Sequence, residues 1–159
     1  TQSRSSAASD VYKRQAPDAE AAMREFCRRA TVITPNTSEL AVLCQSDPAT
    51  TQEQAVEQAR RWAAETGTAV VVKTGHLDSQ RVDNVWVTPD GTTYTAPAAR
   101  VETTNAHGTG CSLSSALATR LGAGDTPGNA LVWVTDWLHE AIQYGSALNV
   151  GKGLSLIHI

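Results

Sequence analysis

The chain has 159 residues, of which 41% are hydrophobic and 18% are charged, and its formal net charge is −3. This balance is typical of a soluble globular protein and excludes an intrinsically disordered chain. The small negative charge argues against a nucleic-acid partner or an anionic lipid surface, and no apolar run reaches the roughly 20 residues that span a bilayer.

The two end segments differ from the rest of the chain. Residues 1–15 (TQSRSSAASDVYKRQ) lack apolar periodicity, and residues 154–159 (LSLIHI) form an apolar tail with no cap or turn before it. Both resemble translated sequencing-adapter read-through; the alternative is a flexible leader and a final strand. We expect both segments to be non-native and to pack poorly, and residues 16–153 to be the protein proper.

The first predicted elements are a helix and a short strand. Residues 17–30 have helical periodicity, with Met23, Phe26 and Cys27 on one apolar face. Residues 31–34 (TVIT) form a β-branched run that a proline ends, so they predict a buried strand.

Two further helices follow. Residues 36–43 begin with Asn36 at the N-cap position and carry Glu39 three residues later, which is the pattern of a capping box. Residues 51–67 form an amphipathic helix for which Gly67 is a suitable stop.

The second half of the chain predicts a strand, a hairpin and two helices. Residues 68–75 are a continuous apolar run, which indicates a strand covered on both faces. Residues 82–96 alternate around Pro89–Gly91 and predict a hairpin. Helices are expected at about 111–122 and 128–148. The apolar stripe of the last helix comprises Leu131, Val134, Leu138 and Ile142.

Strands that alternate with amphipathic helices favour a layered α/β fold with a largely parallel sheet. We expect 31–34 and 69–73 to be adjacent parallel strands with helices on both faces of the sheet. Ligands of such sheets bind at the carboxyl ends of the strands. The loops at 36–39, 73–76 and 105–111 are therefore the places to search for chemistry.

The stretch NAHGTGC places Gly108 and Gly110 on either side of Thr109, directly before a helix. Glycine permits a positive φ and a close approach of the backbone to a ligand, and successive amides at a helix start converge on an anion. The pattern is neither a Walker A motif nor GxGxxG. It predicts an anion site, and a role in turning the chain alone stays open as the alternative.

Cys111 lies at the start of the predicted helix. Helix N-termini stabilise thiolates, and a base beside a bound phosphate is placed to activate a hydroxyl for phosphoryl transfer. The alternative is a small buried hydrophobic residue, which is our interpretation of Cys27 and Cys44. Three cysteines without CxxC spacing favour free thiols and a cytoplasmic location.

Asn36 and Glu39 permit two interpretations. They form a helix cap and its partner, or they hold the water shell of Mg²⁺ at the end of a strand. His76 and His107 are loop residues, and their spacing alone gives neither a catalytic role.

Four segments carry a family resemblance: VITPNTSELAVL, VVVKTGHL, NAHGTGCSLSSALA and ALNVGKG. Together they resemble the carboxyl-terminal half of the hydroxymethylpyrimidine and phosphomethylpyrimidine kinases of thiamine biosynthesis, in the ribokinase-like superfamily. The resemblance covers about residues 31–153. It implies a three-layer α/β/α fold with a largely parallel sheet, here incomplete because the amino-terminal half of the family is not represented.

The resemblance also implies an activity. A kinase of this family transfers phosphate from ATP to 4-amino-5-hydroxymethyl-2-methylpyrimidine and then to its monophosphate, with Mg²⁺ as cofactor and as a homodimer when full length. One alternative is a pyridoxal or pyridoxine kinase, a relative that usually carries aspartate at position 111. The other is an inactive nucleotide-binding fragment.

Site residues follow from the same resemblance. Cys111 is the expected catalytic residue, and Gly108, Thr109 and Gly110 form the expected anion hole. Glu39 is the expected contact to Mg²⁺, through water. The expected nucleotide contacts are Asn36, Lys73, Thr74, Gly75, His76, Asn149 and Lys152.

Overall fold

The computed structural model of the protein describes residues 17–75, 77, 81–103 and 107–145. Their elements, in chain order, are α1 (Pro17–Cys27), β1 (Val32–Ile33), α2 (Thr37–Cys44), α3 (Gln52–Thr66), β2 (Ala69–Lys73), β3 (Asn84–Val87), β4 (Thr93–Ala96), α4 (Thr109–Gly122) and α5 (Pro127–Gly145). The predicted order of elements is confirmed; the end segments 1–15 and 154–159 lie outside the described residues. Within the described ranges, no helix has the length and apolar character needed to cross a membrane.

Local hydrogen bonds set the ends of α2 and α3 as the sequence predicts. Asn36 Oδ1 accepts from the Glu39 amide at 2.8 Å, and Glu39 Oε2 accepts from the Asn36 amide at 2.8 Å. This reciprocal pair satisfies two backbone donors at the start of α2. Helix α3 begins after Thr51, whose hydroxyl accepts from the Gln54 amide, and ends at Gly67 with φ of +74°.

The described sheet has the order β1-β2-β3-β4. Strands β1 and β2 are parallel, with Val32 opposite Ala69, so their predicted pairing is confirmed. The prediction of a largely parallel sheet is wrong for the described residues, because β2 pairs antiparallel with β3 and β3 antiparallel with β4. The predicted hairpin is the reason. It folds back beside β2, and its turn is closed by the amide of Thr88 donating to Thr92 O at 2.9 Å.

Two apolar cores lie on opposite faces of this sheet. Successive strand residues point to opposite faces, and in β2 Val70 packs into one core and Val71 into the other. The first core contains Leu40 of α2 and Trp62 of α3. The second contains α4 and α5, with Leu117 fully buried. The predicted layers, with helices on both faces, are therefore confirmed.

The apolar face of α1 is not buried as predicted. Met23 is 44% exposed and Phe26 is 72% exposed. They border a groove of about 360 Å³ between α1, β1, α2 and α4, which is also lined by Val32, Pro35 and Leu117. Because β1 is an edge strand within the described residues, no further described element covers this groove.

The four tryptophans fall into two groups. Trp62 and Trp86 are buried, one in each core. Trp133 and Trp137, on the outer side of α5, stack with ring centroids 6.1 Å apart and remain 43% and 40% exposed. The Arg120 guanidinium lies 4.8 Å from the Trp133 ring centroid and covers one side of this pair. The predicted stripe of α5 faces the core, with Leu131, Val134 and Leu138 buried and Ile142 packed against them.

Candidate active site

The carboxyl ends of β1 and β2 lie side by side, at the edge of the sheet where the sequence predicts chemistry. The Lys73 amide donates to Pro35 O at 3.3 Å, and Asn36 and Lys73 face each other as a parallel bridge. The loop that follows β1 and the last residue of β2 thus form one continuous surface.

The glycine turn before α4 leaves backbone amides at the helix start. Helix α4 begins at Thr109 rather than at residue 111, and Gly108 is its N-cap with φ of +86°. The first helical hydrogen bond runs from the Ser112 amide to Gly108 O at 2.9 Å. The amides of Gly110 and Cys111 therefore precede the helical hydrogen-bond pattern, where the helix dipole favours an anion.

Lys73 brings a positive charge to the same turn. A Cβ added to Gly110 would lie 3.0 Å from Lys73 Nζ, so the ammonium sits against the first turn of α4. Glycine at position 110 permits this close approach. Within the described part of the chain Lys73 forms no ion pair. Its charge and the helix dipole thus act on the same small volume.

Cys111 is exposed in the first turn of α4. The alternative interpretation, a small buried hydrophobic residue, is therefore wrong for Cys111. Cys27 and Cys44 differ from it, because both are half-buried and burial raises the pKa of each thiol. They pack against the first core, in agreement with the interpretation given to them.

Asn36 and Glu39 form the capping box described above, so the interpretation of this pair as a helix cap and its partner is confirmed. A carboxylate has about four lone-pair positions, and the bond from the Asn36 amide uses one of them. No group of three or more His, Cys, Asp or Glu that could hold a metal occurs among the described residues. Mg²⁺ keeps several waters and needs only one or two carboxylates. Glu39 therefore fits a water-mediated contact, and that role stays a prediction.

The loop after β2 is held by the side chain of Thr74, which the family resemblance names, and by that of Arg100, which it does not. Thr74 is buried, and its hydroxyl donates to Asp83 O at 2.7 Å. The hydroxyl hydrogen is therefore used in a bond within the protein. Gly75 O and Leu77 O accept from Arg100 Nη2 at 3.2 and 2.5 Å. Nucleotide contacts of Thr74 and Gly75 stay predictions. The predicted contacts His76, Asn149 and Lys152 lie outside the described residues.

Sequence reasoning missed two hydroxyl residues beside the glycine turn. Thr34 Oγ1 lies 2.6 Å from Ser114 Oγ, and Ser114 donates to Gly110 O at 2.9 Å. A local signal exists for one of them, since Ser114 follows Gly110 by four residues and a helical serine can bond the carbonyl at that spacing. No local pattern joins Thr34 to Ser114, which are 80 residues apart.

Gly108→Ala is expected to destabilise the protein by about 1–2 kcal/mol, because an L-residue in the left-handed region clashes with its own backbone. Gly122→Ala is the matched control on α4, since a Cβ there meets nothing within 4 Å and no positive φ is required. Urea denaturation of both variants measures the difference. Equal unfolding midpoints would contradict the prediction.

Comparison with known proteins gives the family. The sequence matches the family described as phosphomethylpyrimidine kinase over residues 6–158. It is 54% identical over 137 residues to the thiamine biosynthesis multifunctional protein ThiED of Corynebacterium efficiens, covering 86% of this chain and 18% of that protein. It is 35% identical over 144 residues to the hydroxymethylpyrimidine/phosphomethylpyrimidine kinase of Escherichia coli, covering 89% of this chain and 53% of that enzyme.

Solved structures agree on the fold. An ADP complex of Bacillus subtilis pyridoxal kinase has a TM-score of 0.74 and 27% identity, covering 82% of this chain and 51% of that one. A phosphomethylpyrimidine kinase described as putative, from Bacteroides thetaiotaomicron, has a TM-score of 0.73 and 20% identity, covering 86% and 48%. These neighbours confirm the expected ribokinase-like α/β fold. The chain spans about half the length of the single-function relative from Escherichia coli.

Proposed function

The chain belongs to the phosphomethylpyrimidine kinase family, and on this premise we propose that it carries the phosphoryl-transfer site of a hydroxymethylpyrimidine/phosphomethylpyrimidine kinase. The substrates are ATP and 4-amino-5-hydroxymethyl-2-methylpyrimidine, followed by the monophosphate of that pyrimidine. The observation that carries the proposal is the Lys73 ammonium against the first turn of α4, beside an exposed Cys111. Relatives that are 54% and 35% identical, both named for thiamine biosynthesis or its pyrimidine kinase, support the substrate class.

The site supplies the two things that phosphoryl transfer needs, which are charge neutralisation and a proton acceptor. Lys73 and the amides of Gly110 and Cys111 bind the oxygens of the transferred phosphoryl group. The substrate hydroxyl oxygen forms the new bond to the γ-phosphorus while the bond to the bridging oxygen of ATP breaks. The proton of that hydroxyl passes to Cys111 Sγ. Removing one well-placed donor from such a site typically lowers the rate about 100-fold or more.

Mg²⁺ and the nucleotide complete the proposal. Glu39 would hold the ion through water at the end of β1, and bound Mg²⁺ would neutralise phosphate charge. From the family resemblance we assign Asn36, at the bridge with Lys73, and Gly75, in the loop after β2, to nucleotide binding. We assign the same role to His76, Asn149 and Lys152, also from the family resemblance alone. The full-length kinase is a cytoplasmic homodimer in this proposal.

Pyridoxal is the competing substrate, because the Bacillus subtilis pyridoxal kinase shares the fold at 27% identity. The test is a phosphorylation assay with both substrates, in a polypeptide that spans the full length of the relatives. We expect kcat/KM to favour the hydroxymethylpyrimidine by at least ~100-fold, since a site that pairs with the polar groups of one substrate rejects a substrate that leaves them unpaired. A preference for pyridoxal would replace the proposed substrate. Nucleotide binding without turnover of either substrate would support an inactive nucleotide-binding protein instead.

A further inference from the structure

Two hydroxyl side chains join the end of β1 to the first turn of α4. Thr34 Oγ1 and Ser114 Oγ are 2.6 Å apart, and both residues are half-buried. Ser114 Oγ also donates to Gly110 O at 2.9 Å. A serine hydroxyl has a single hydrogen, so Thr34 donates to Ser114 and Ser114 donates to Gly110. The two bonds form a directed chain from the strand to the turn.

This chain ends on the residue that Lys73 Nζ approaches. We infer that Thr34 and Ser114 are positioning residues, which hold Gly110 and the amides of the first turn in place relative to Lys73. The inference rests on the proposed function of this turn as a phosphate site. Both hydroxyls act through the Gly110 carbonyl rather than on the phosphate itself. Removing these hydroxyls is therefore expected to weaken anion binding by no more than the free energy of one hydrogen bond.

Helix α4 offers a matched control for the local part of this geometry. Thr119 Oγ1 donates to Ser115 O at 2.9 Å, which is the same i to i−4 bond that Ser114 makes to Gly110. Thr119 is exposed, and it bonds no strand residue among those that the structure describes. Thr119→Ala removes a bond of equal length and kind away from the glycine turn. Any general effect of such bonds on the helix will appear in this variant as well.

The test measures protection of Cys111 by inorganic pyrophosphate in the chain itself. Exposed Cys111 is alkylated with iodoacetamide at increasing pyrophosphate, and peptide mass spectrometry separates it from half-buried Cys27 and Cys44. In the Ser114→Ala and Thr34→Val variants, we expect half-maximal protection of Cys111 to need roughly 3- to 10-fold more pyrophosphate than in the wild type. Thr34→Ser, which keeps the hydroxyl, and Thr119→Ala should match the wild type.

A double variant tests the direction of the chain. Because Thr34 acts only through Ser114, Thr34→Val combined with Ser114→Ala should lose no more than Ser114→Ala alone. All measurements are made below the unfolding transition of each variant. A role in stability alone lowers Tm and leaves the half-protection concentration of the variants unchanged, which would overturn the inference while the phosphate site stands. A wild type that pyrophosphate does not protect would overturn the proposed phosphate site, and this inference with it.

Discussion

Replacing Cys111 with alanine is expected to lower the turnover of the full-length kinase by about 100- to 10,000-fold, the usual contribution of a general base. The backbone amides that we propose as the phosphate site survive the substitution, so nucleotide affinity should stay close to that of the wild type. Cys111 is exposed, and the loss of its side chain leaves no cavity in either core. Single-turnover kinetics and an equilibrium titration with a non-hydrolysable nucleotide measure the two effects separately.

Two further variants control this prediction. Cys111→Asp replaces the thiol by a carboxylate, which the family resemblance implies for pyridoxal kinases at this position, and it should retain part of the activity. Cys27→Ala removes a thiol that packs beside the first core, so it should change stability and leave turnover per folded molecule unaltered. A well-folded Cys111→Ala enzyme with full turnover would end the assignment of this residue as the proton acceptor.

Replacing Lys73 with methionine is expected to weaken both phosphate binding and catalysis. Methionine keeps an unbranched apolar side chain and removes the charge that lies against the first turn of α4. Loss of one charged donor from a phosphoryl-transfer site costs on the order of 100-fold in rate. We therefore expect kcat/KM to fall by about this factor in the full-length kinase. Pyrophosphate should also protect Cys111 much less in the chain itself.

The charge change itself needs a control. Arg29→Met alters the net charge equally, at an exposed residue paired with Glu25 outside the candidate site, and it should leave protection unchanged. The Lys73 and Cys111 variants also differ from each other, because the first loses anion binding and the second keeps it. If Lys73→Met binds pyrophosphate as tightly as the wild type does, the ammonium has no part in the anion site.

Local patterns in the sequence predicted the parts of the fold that depend on neighbouring residues. Asn36 and Glu39 indicated a capping box, and Gly67 indicated a helix stop, because each requires only contacts within one turn. Pro89–Gly91 indicated the hairpin for the same reason. Long-range packing decides which strand that hairpin pairs with. The antiparallel pairing of β3 with β2 was therefore not predicted.

The site shows the same division between local and distant contacts. The glycine turn and Cys111 were predicted from residues that adjoin in the sequence. The contact of Lys73 with Gly110 and that of Thr34 with Ser114 depend on how α4 packs beside β1 and β2, and periodicity carries no information about either. The apolar face with Met23 and Phe26 is a related case. Its pattern indicated burial, but in the described structure it lines an open groove.

The placement of the tryptophans gives each of the two cores its own fluorescent reporter. Trp62 lies in the core between the sheet and α3, and Trp86 lies in the opposite core beside α5. Unfolding transfers each of these indoles from an apolar environment into water, whereas the stacked Trp133–Trp137 pair is already partly in contact with solvent. The Trp62→Phe protein keeps Trp86 and reports on the second core, and the Trp86→Phe protein keeps Trp62 and reports on the first core. Coincident unfolding transitions in the two proteins would mark the two cores as a single cooperative unit.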